Sequence, residues 1–232
     1  MLLSLALFAA IPATTASKSA ATSQRMTVRT DDGVQISATF YEASTRPAPV
    51  VLYIHQLQKS RKDWDAVATQ LAAEGIAGFA IDLRGHGESA GSPQDYSGMV
   101  QDVRAARRFL AARPDLTATR VGIAGASIGA TLSALVAGDD GTIASLALLS
   151  PSMEYRGLRL DAAMKKYGAR PALLVASMDD GYSARTVKEL QKAGSGVRET
   201  LLLSHAGHGT AMLTGESELG RRLLEWFRRT LL

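Results

Sequence analysis

The sequence predicts an α/β domain, with a mostly parallel eight-stranded sheet, an N-terminal antiparallel hairpin and helices on both faces. Three observations carry this. Short runs of β-branched and small apolar residues alternate with longer segments of helical character. Such alternation calls for right-handed crossovers and a sheet covered on both sides. One apolar run passes straight into the pentapeptide Gly125-Ala-Ser127-Ile-Gly129 and then into a helix-compatible run. Two later runs end directly in acidic and histidine residues, and in open α/β sheets sites form at the carboxyl ends of strands.

Taken in order, residues 26–29 and 34–40 alternate around Asp31-Asp32-Gly33, a hairpin signal. Pro47 and Pro49 mark the turn into a strand at 50–54. A helix near 63–74, a strand at 77–81, a helix near 97–113 and a strand at 121–124 follow. After a helix at 130–137 come a strand at 145–149, a helix near 158–167, a strand at 172–175, a helix near 184–193 and a strand at 200–203. The chain closes with a helix at 216–231, where Arg221, Arg222, Arg228 and Arg229 interleave with Leu223, Leu224, Trp226 and Phe227. That is the solvated face of an amphipathic helix. No internal repeat is visible.

Length and composition bound the reading. A chain of 232 residues with one continuous order of elements suits one domain. An apolar share of 46% and a charged share of 21% describe an ordinary globular protein. The net charge of +4 lies largely in the terminal helix and forms no broad basic patch, so no nucleic-acid partner is expected. Without cysteine there is no disulfide and no test of redox compartment. Residues 1–11 are almost wholly apolar and give way to small residues up to Ala16. This reads as a secretory h-region and cleavage site, too short for a membrane span, although no basic residue precedes it. The expected organisation is a signal peptide at 1–16, a linker at 17–24 and one domain at 25–232. Export is the expectation, and a cytoplasmic protein with an apolar leader the alternative. Oligomeric state is not encoded in any pattern found.

The pentapeptide carries the chemistry. A strand, a sharp turn and a helix around Gly-x-Ser-x-Gly form a nucleophile elbow. The turn strains the backbone at Ser127 and lifts its hydroxyl clear of the sheet, while Gly125 and Gly129 avoid collisions with the crossing strand and helix. The free N–H groups of the helix start can then stabilise an oxyanion. A serine hydroxyl needs a base and an orienting carboxylate. The chain has four histidines, His55, His86, His205 and His208. Flanking glycines give His208 an uncrowded perch in the loop after the 200–203 strand, whereas His205 lies nearer the strand end and reads as a partly buried loop residue. Asp179 and Asp180 follow the 172–175 strand. Adjacent side chains diverge, so one of them faces the histidine; Asp180, just before Gly181, is the choice, and Asp179 reads as solvated. No clustered set of His and acidic residues has metal-ligand spacing, and no cofactor is called for.

Four segments in this order, Val51-Leu-Tyr-Ile-His55-Gln-Leu, Asp82-Leu-Arg-Gly-His86-Gly-Glu-Ser89, the pentapeptide and Ala206-Gly-His208-Gly, resemble the α/β-hydrolase family. The resemblance covers nearly all of the chain after the first two dozen residues and implies the α/β-hydrolase fold. In that family the acid and then the histidine follow the serine, which sets aside His55 and His86 as bases and implies a triad of Ser127, Asp180 and His208. The family's oxyanion donors map to the N–H groups of Leu57 and Ile128. His55 and His86 are implied to brace loops by hydrogen bonding. One departure stands out: many relatives have His-Gly where this chain has His55-Gln56, which narrows the conformations open to the loop and sets an amide near the pocket.

Together these readings imply a serine hydrolase of the carboxylesterase kind acting on a small-molecule ester through an acyl-enzyme. Thioester or lactone hydrolysis and acyl transfer are alternatives on the same geometry, and a non-catalytic binding module is the alternative of another class. The interval 150–170, where the family often inserts a cap, holds about one helix and its loops. No large cap domain is expected, so the site should be open and suited to short acyl groups.

Overall fold

A computed structural model describes residues 22–215 and 217–232. The expected signal peptide and the linker up to residue 21 lie outside the described residues. Ten strands are described: β1 (Ser23–Arg29), β2 (Gln35–Tyr41), β3 (Ala48–Ile54), β4 (Ala77–Ile81), β5 (Leu116–Ala126), β6 (Ile143–Leu149), β7 (Glu154–Tyr155), β8 (Leu158–Arg159), β9 (Ala172–Ser177) and β10 (Arg198–Leu203). Eight of them form one sheet in the order β1-β2-β4-β3-β5-β6-β9-β10, and β7 and β8 form a separate ribbon. β1 starts inside the segment read as a linker and pairs antiparallel with β2, from Ser23 opposite Tyr41 to Arg29 opposite Gln35. The hairpin turn is held by Thr30, whose Oγ1 accepts the Val34 N–H at 2.8 Å, and by Gly33 at φ +85°. β2 joins β4 antiparallel; the other pairings in the sheet are parallel. The eight-stranded α/β architecture is the one the sequence predicts.

Helices α1 (Asp65–Ala73), α2 (Tyr96–Ala111), α3 (Ile128–Asp139), α4 (Leu160–Tyr167), α5 (Gly181–Ala193), α6 (Met212–Gly215) and α7 (Ser217–Leu231) complete the chain. The two faces of the sheet make two cores. β3 is buried throughout, as a strand covered on both sides must be. Its Val50, Leu52 and Ile54 belong to the core that also takes in residues of α2, α3, α4 and α5, while Val51 and Tyr53 belong to the one with residues of α1 and α7. In α7, Leu219, Leu223, Trp226, Phe227 and Leu231 are buried. Its arginines stay at the surface, Arg221 pairing with Glu225 at 2.5 Å and Arg229 with Glu199 at 2.6 Å. Among the described residues no helix is long and apolar enough to cross a membrane.

The interval 150–170 holds α4 and, in addition, the β7–β8 ribbon, which the sequence reading missed. Its two-residue turn has Arg156 at φ +52° and Gly157 at φ +84°, the twist that matches a tight hairpin. An arginine in the first of these positions is a weak turn signal. The ribbon is too small to form a cap domain.

Candidate active site

The elbow is formed where β5 ends and α3 begins. Ser127 has φ +53° and ψ −116°, a conformation rare for a residue with a Cβ. Its N–H donates to the Leu149 carbonyl at 2.8 Å, and its carbonyl accepts the Ala130 N–H at 3.0 Å, so the bend is held from both sides. The flanking glycines are required by space. A Cβ on Gly125 would overlap the Gly129 carbonyl oxygen and Ser133 Oγ, and one on Gly129 would lie 2.5 Å from the Ile54 carbonyl oxygen. Ser127 is half-buried. Ile128 is the first residue of α3, so its N–H has no acceptor within the helix.

β9 and β10 run parallel beside each other and deliver the acid and the histidine from their carboxyl ends. His208 Nδ1–H donates to Asp180 Oδ2 at 2.6 Å. The other carboxylate oxygen accepts the Ser183 N–H at 3.2 Å, which caps α5. Asp180 thereby has two roles, and its position is fixed by the helix it caps. Burial pushes its carboxyl up, but the hydrogen bonds from Ser183 and His208 outweigh this and hold it below its ordinary value. Asp179 diverges as expected. It is exposed yet engaged, since it accepts the Ser177 hydroxyl proton, and Ser177 Oγ in turn accepts the Ala206 N–H at 2.8 Å. His205 is exposed rather than partly buried.

The structure therefore brings Asp180 and His208 into direct contact. Ser127 Oγ has no hydrogen-bond partner among the described residues. The two halves are joined through the end of β6. Leu149 holds the serine elbow, and the next residue, buried Ser150 at φ +47°, accepts the Gly209 N–H on its Oγ at 2.8 Å. The sequence reading missed Ser150, and a polar residue closing an apolar strand is the one signal that could have found it.

The loop after β3 is braced as the motif histidines imply. His55 is buried; its Nε2 accepts the Leu83 N–H at 2.9 Å, so its Nδ1 carries the proton and donates to the Gln56 carbonyl at 2.6 Å. That carbonyl also accepts the Lys59 N–H at 3.3 Å, in a turn with Gln58 at φ +62°. In a trans peptide the N–H points opposite the carbonyl, so the Leu57 N–H faces away from this brace. His86 Nδ1–H donates to the Arg84 carbonyl at 2.9 Å. Asp82 is consumed by Arg61 and by the Glu88 N–H at 2.8 Å. Buried Arg84 gathers Asp32, Asp95 and Asp102 at 2.8, 2.5 and 2.8 Å. These charged groups bind one another, which accounts for the second motif structurally. Gln56 is half-buried, and its Oε1 accepts the Thr210 N–H at 2.7 Å, so that oxygen is turned to the histidine loop.

Burial dominates the titration of His55 and pushes its imidazole down from 6.5 to about 4. The folded state thus resists a proton that the unfolded chain accepts, and stability falls as pH drops from about 6.5 through about 4. The loss is on the order of 3 kcal/mol at the acid end of that window. Nitrogen-15 NMR of the imidazoles is expected to show His55 as the neutral Nδ1–H tautomer at pH 5.5. A protonated ring there would refute the assignment.

A cavity of about 530 Å³ lies between α4 and α5, lined by Met153, Met164, Leu190 and Arg198 among others. Because α5 starts at the carboxyl end of β9 and runs back toward the start of β10, the wall it gives lies near the edge of the sheet away from Ser127. Among the described residues no group of three or more His, Cys, Asp or Glu side chains is placed to hold a metal ion.

Residues 45–178, more than half of the chain, match the family model described as serine aminopeptidase, S33. An uncharacterized protein of Mycobacterium tuberculosis is 26% identical over 223 residues, covering 88% of this chain and 77% of that protein. Among solved structures, a dienelactone hydrolase from Anabaena variabilis is similar with a TM-score of 0.78 at 18% identity, covering 92% of this chain and 100% of that one. The Pyrococcus furiosus esterase Pf2001 is similar with a TM-score of 0.76 at 17% identity, covering 91% and 94%. At such identities the structures speak for the fold, and the family match speaks for the lineage: the chain belongs to the serine aminopeptidase S33 family of α/β-hydrolases.

Proposed function

We propose that the protein hydrolyses carboxylic esters, with Ser127 as nucleophile, His208 as general base and Asp180 as the carboxylate that orients it. The observation that carries this reading is the 2.6 Å bond from His208 Nδ1–H to Asp180. A donor at Nδ1 leaves the lone pair on Nε2, the state in which an imidazole can take the serine proton. In the first half-reaction His208 accepts that proton as Ser127 attacks the ester carbonyl, and returns it to the leaving alcohol. Water then attacks the acyl-serine with His208 again as base, releasing the carboxylic acid and free serine. The N–H groups of Ile128 and Leu57 are the donors proposed for the oxyanion. The first is supported by its place at the start of α3, the second by the fixed direction of the Gln56 carbonyl. Apo sites often lack the serine–histidine bond that forms with substrate.

The reading is tested by labelling with a fluorophosphonate and by turnover of p-nitrophenyl esters of graded acyl length. The expected result is labelling at Ser127 and turnover that falls as the acyl chain lengthens. With only a small ribbon and one helix between β6 and β9, a long chain gains only part of the ~0.8 kcal/mol available per fully buried methylene. Turnover rising steadily to long chains would refute the open-site reading. Turnover of aminoacyl p-nitroanilides in preference to esters would move the activity to amide hydrolysis, and absence of labelling would leave a binding module.

A further inference from the structure

Gln56 lies in the loop directly after β3, and the structure shows what its side chain does. Its Oε1 reaches a residue 154 positions away, accepting the Thr210 N–H at 2.7 Å. Thr210 Oγ1 donates to the Asp63 carboxylate. The preceding N–H, that of Gly209, donates to Ser150 Oγ at 2.8 Å. Two consecutive amides directly after His208 are thus tied to side chains at the ends of β3 and β6. Gly209 itself has φ +62°, and a Cβ there would overlap Gln56 Oε1.

We propose that Gln56 is a positioning residue that locks the His208 loop to the loop carrying the Leu57 N–H, with Gly209 as its obligatory partner. The proposal rests on the reading of His208 as the base. The His208 side chain is 45% exposed, and the hydrogen bond its ring makes among the described residues is the one to Asp180. Little packing holds such a ring, so its location depends on where the backbone of residues 208–210 is anchored. The Gln56 backbone carbonyl meanwhile accepts from His55 Nδ1–H and from Lys59 N–H and fixes the next amide, that of Leu57. One residue therefore sets the spacing between the base and an oxyanion donor. Gln56 and Gly209 form a matched pair, in which the second residue supplies the space that the first one fills.

The test compares Gln56→Leu with the wild type in steady-state ester hydrolysis and in nitrogen-15 NMR of the histidine rings. Displacement of a reacting group by about 1 Å can lower the rate about a hundred-fold, and a loss of that size is expected in kcat, with KM little changed. His208 is expected to be the Nδ1–H tautomer in the wild type and to shift toward the Nε2–H form in the variant, with His55 unaltered. Should Gln56→Leu not fold, Gln56→Asn, which withdraws the amide by one methylene, carries the same comparison. Gly209→Ala should cost about as much as Gln56→Leu in the wild type and less in a Gln56→Ala background, where the backbone strain of φ +62° remains but no side chain is left to evict. Unchanged kcat and tautomer in the Gln56 variants, or losses that simply multiply in the double variant, would overturn the proposal. If the wild type turns over no ester, the functional reading fails, while the tautomer comparison still decides the positioning role.

Discussion

Ser127→Ala is expected to abolish both fluorophosphonate labelling and ester turnover while leaving the melting temperature nearly unchanged. The two halves have separate causes. The alanine keeps the Cβ that already sits at φ +53°, so it adds no backbone strain, and the N–H bond to the Leu149 carbonyl does not involve the side chain. Nor does the hydroxyl hold the fold, since it has no partner among the described residues. In the proposed reaction, however, nothing replaces it: without Oγ no acyl-enzyme can form, and water would have to attack the ester directly. Loss of the serine in subtilisin lowers kcat about a million-fold, and a loss approaching that size is expected here. Turnover within ten-fold of the wild type would move the nucleophile elsewhere. A lowered melting temperature with inactivity would leave the chemistry undecided, so circular dichroism and thermal melting belong in the same experiment.

What the sequence made legible is what local pattern encodes. β3 is buried along its whole length, and residues 50–54 read as a continuous apolar run because a central parallel strand has no solvent face; the strand begins earlier, at Ala48, and includes Pro49, which the sequence marks as part of the turn. The elbow was legible because five adjacent residues specify it, and Gly125 and Gly129 are each required by contacts within the turn or with β3. Boundaries were less legible. β5 begins at Leu116 rather than 121, and Thr117, Ala118, Thr119 and Arg120, half-buried or exposed, offer no buried apolar run from which that start could be read. The β-strand alternation cannot reveal pairing there.

Long-range polar contacts were not legible at all. Gln56 was visible as a departure from the relatives, but its partner Thr210 is 154 residues away and no periodicity links the two. The same holds for Ser150 and Gly209, 59 residues apart. Arg84 gathers carboxylates from two segments far apart in sequence, Asp32 in the β1–β2 turn and Asp95 and Asp102 at the cap and inside of α2, and no local pattern announces that brace. Side-chain hydrogen bonds of this kind follow from the packed fold, and any polar residue on a loop is a candidate until the loops are placed.

Asp180→Asn is expected to lower kcat about ten-thousand-fold, and Asp179→Asn by less than about ten-fold. Both residues lie at the end of β9, and the difference comes from what each touches. Asp180 Oδ2 faces His208 Nδ1–H at 2.6 Å. An asparagine amide placed there presents N–H₂ to the ring, so Nδ1 must become the acceptor and the proton moves to Nε2. The nitrogen proposed to take the serine proton then has no lone pair, and the same exchange in a serine protease triad costs about 10⁴ in kcat. If the asparagine instead turns its oxygen to the ring, the neutral amide stabilises the imidazolium less than a carboxylate does, and Ser183 N–H loses its acceptor. The fold should tolerate the change, because asparagine caps a helix about as well as aspartate and Asp180 sits at the cap of α5. Asp179 accepts a proton from Ser177 Oγ, and an asparagine oxygen serves equally there. Weakening of one such bond is worth roughly 1 kcal/mol, less than the 1.4 kcal/mol that makes ten-fold. Measured kcat values in the reverse ranking would give the orienting role to Asp179, and two equally small effects would place the carboxylate on another strand end.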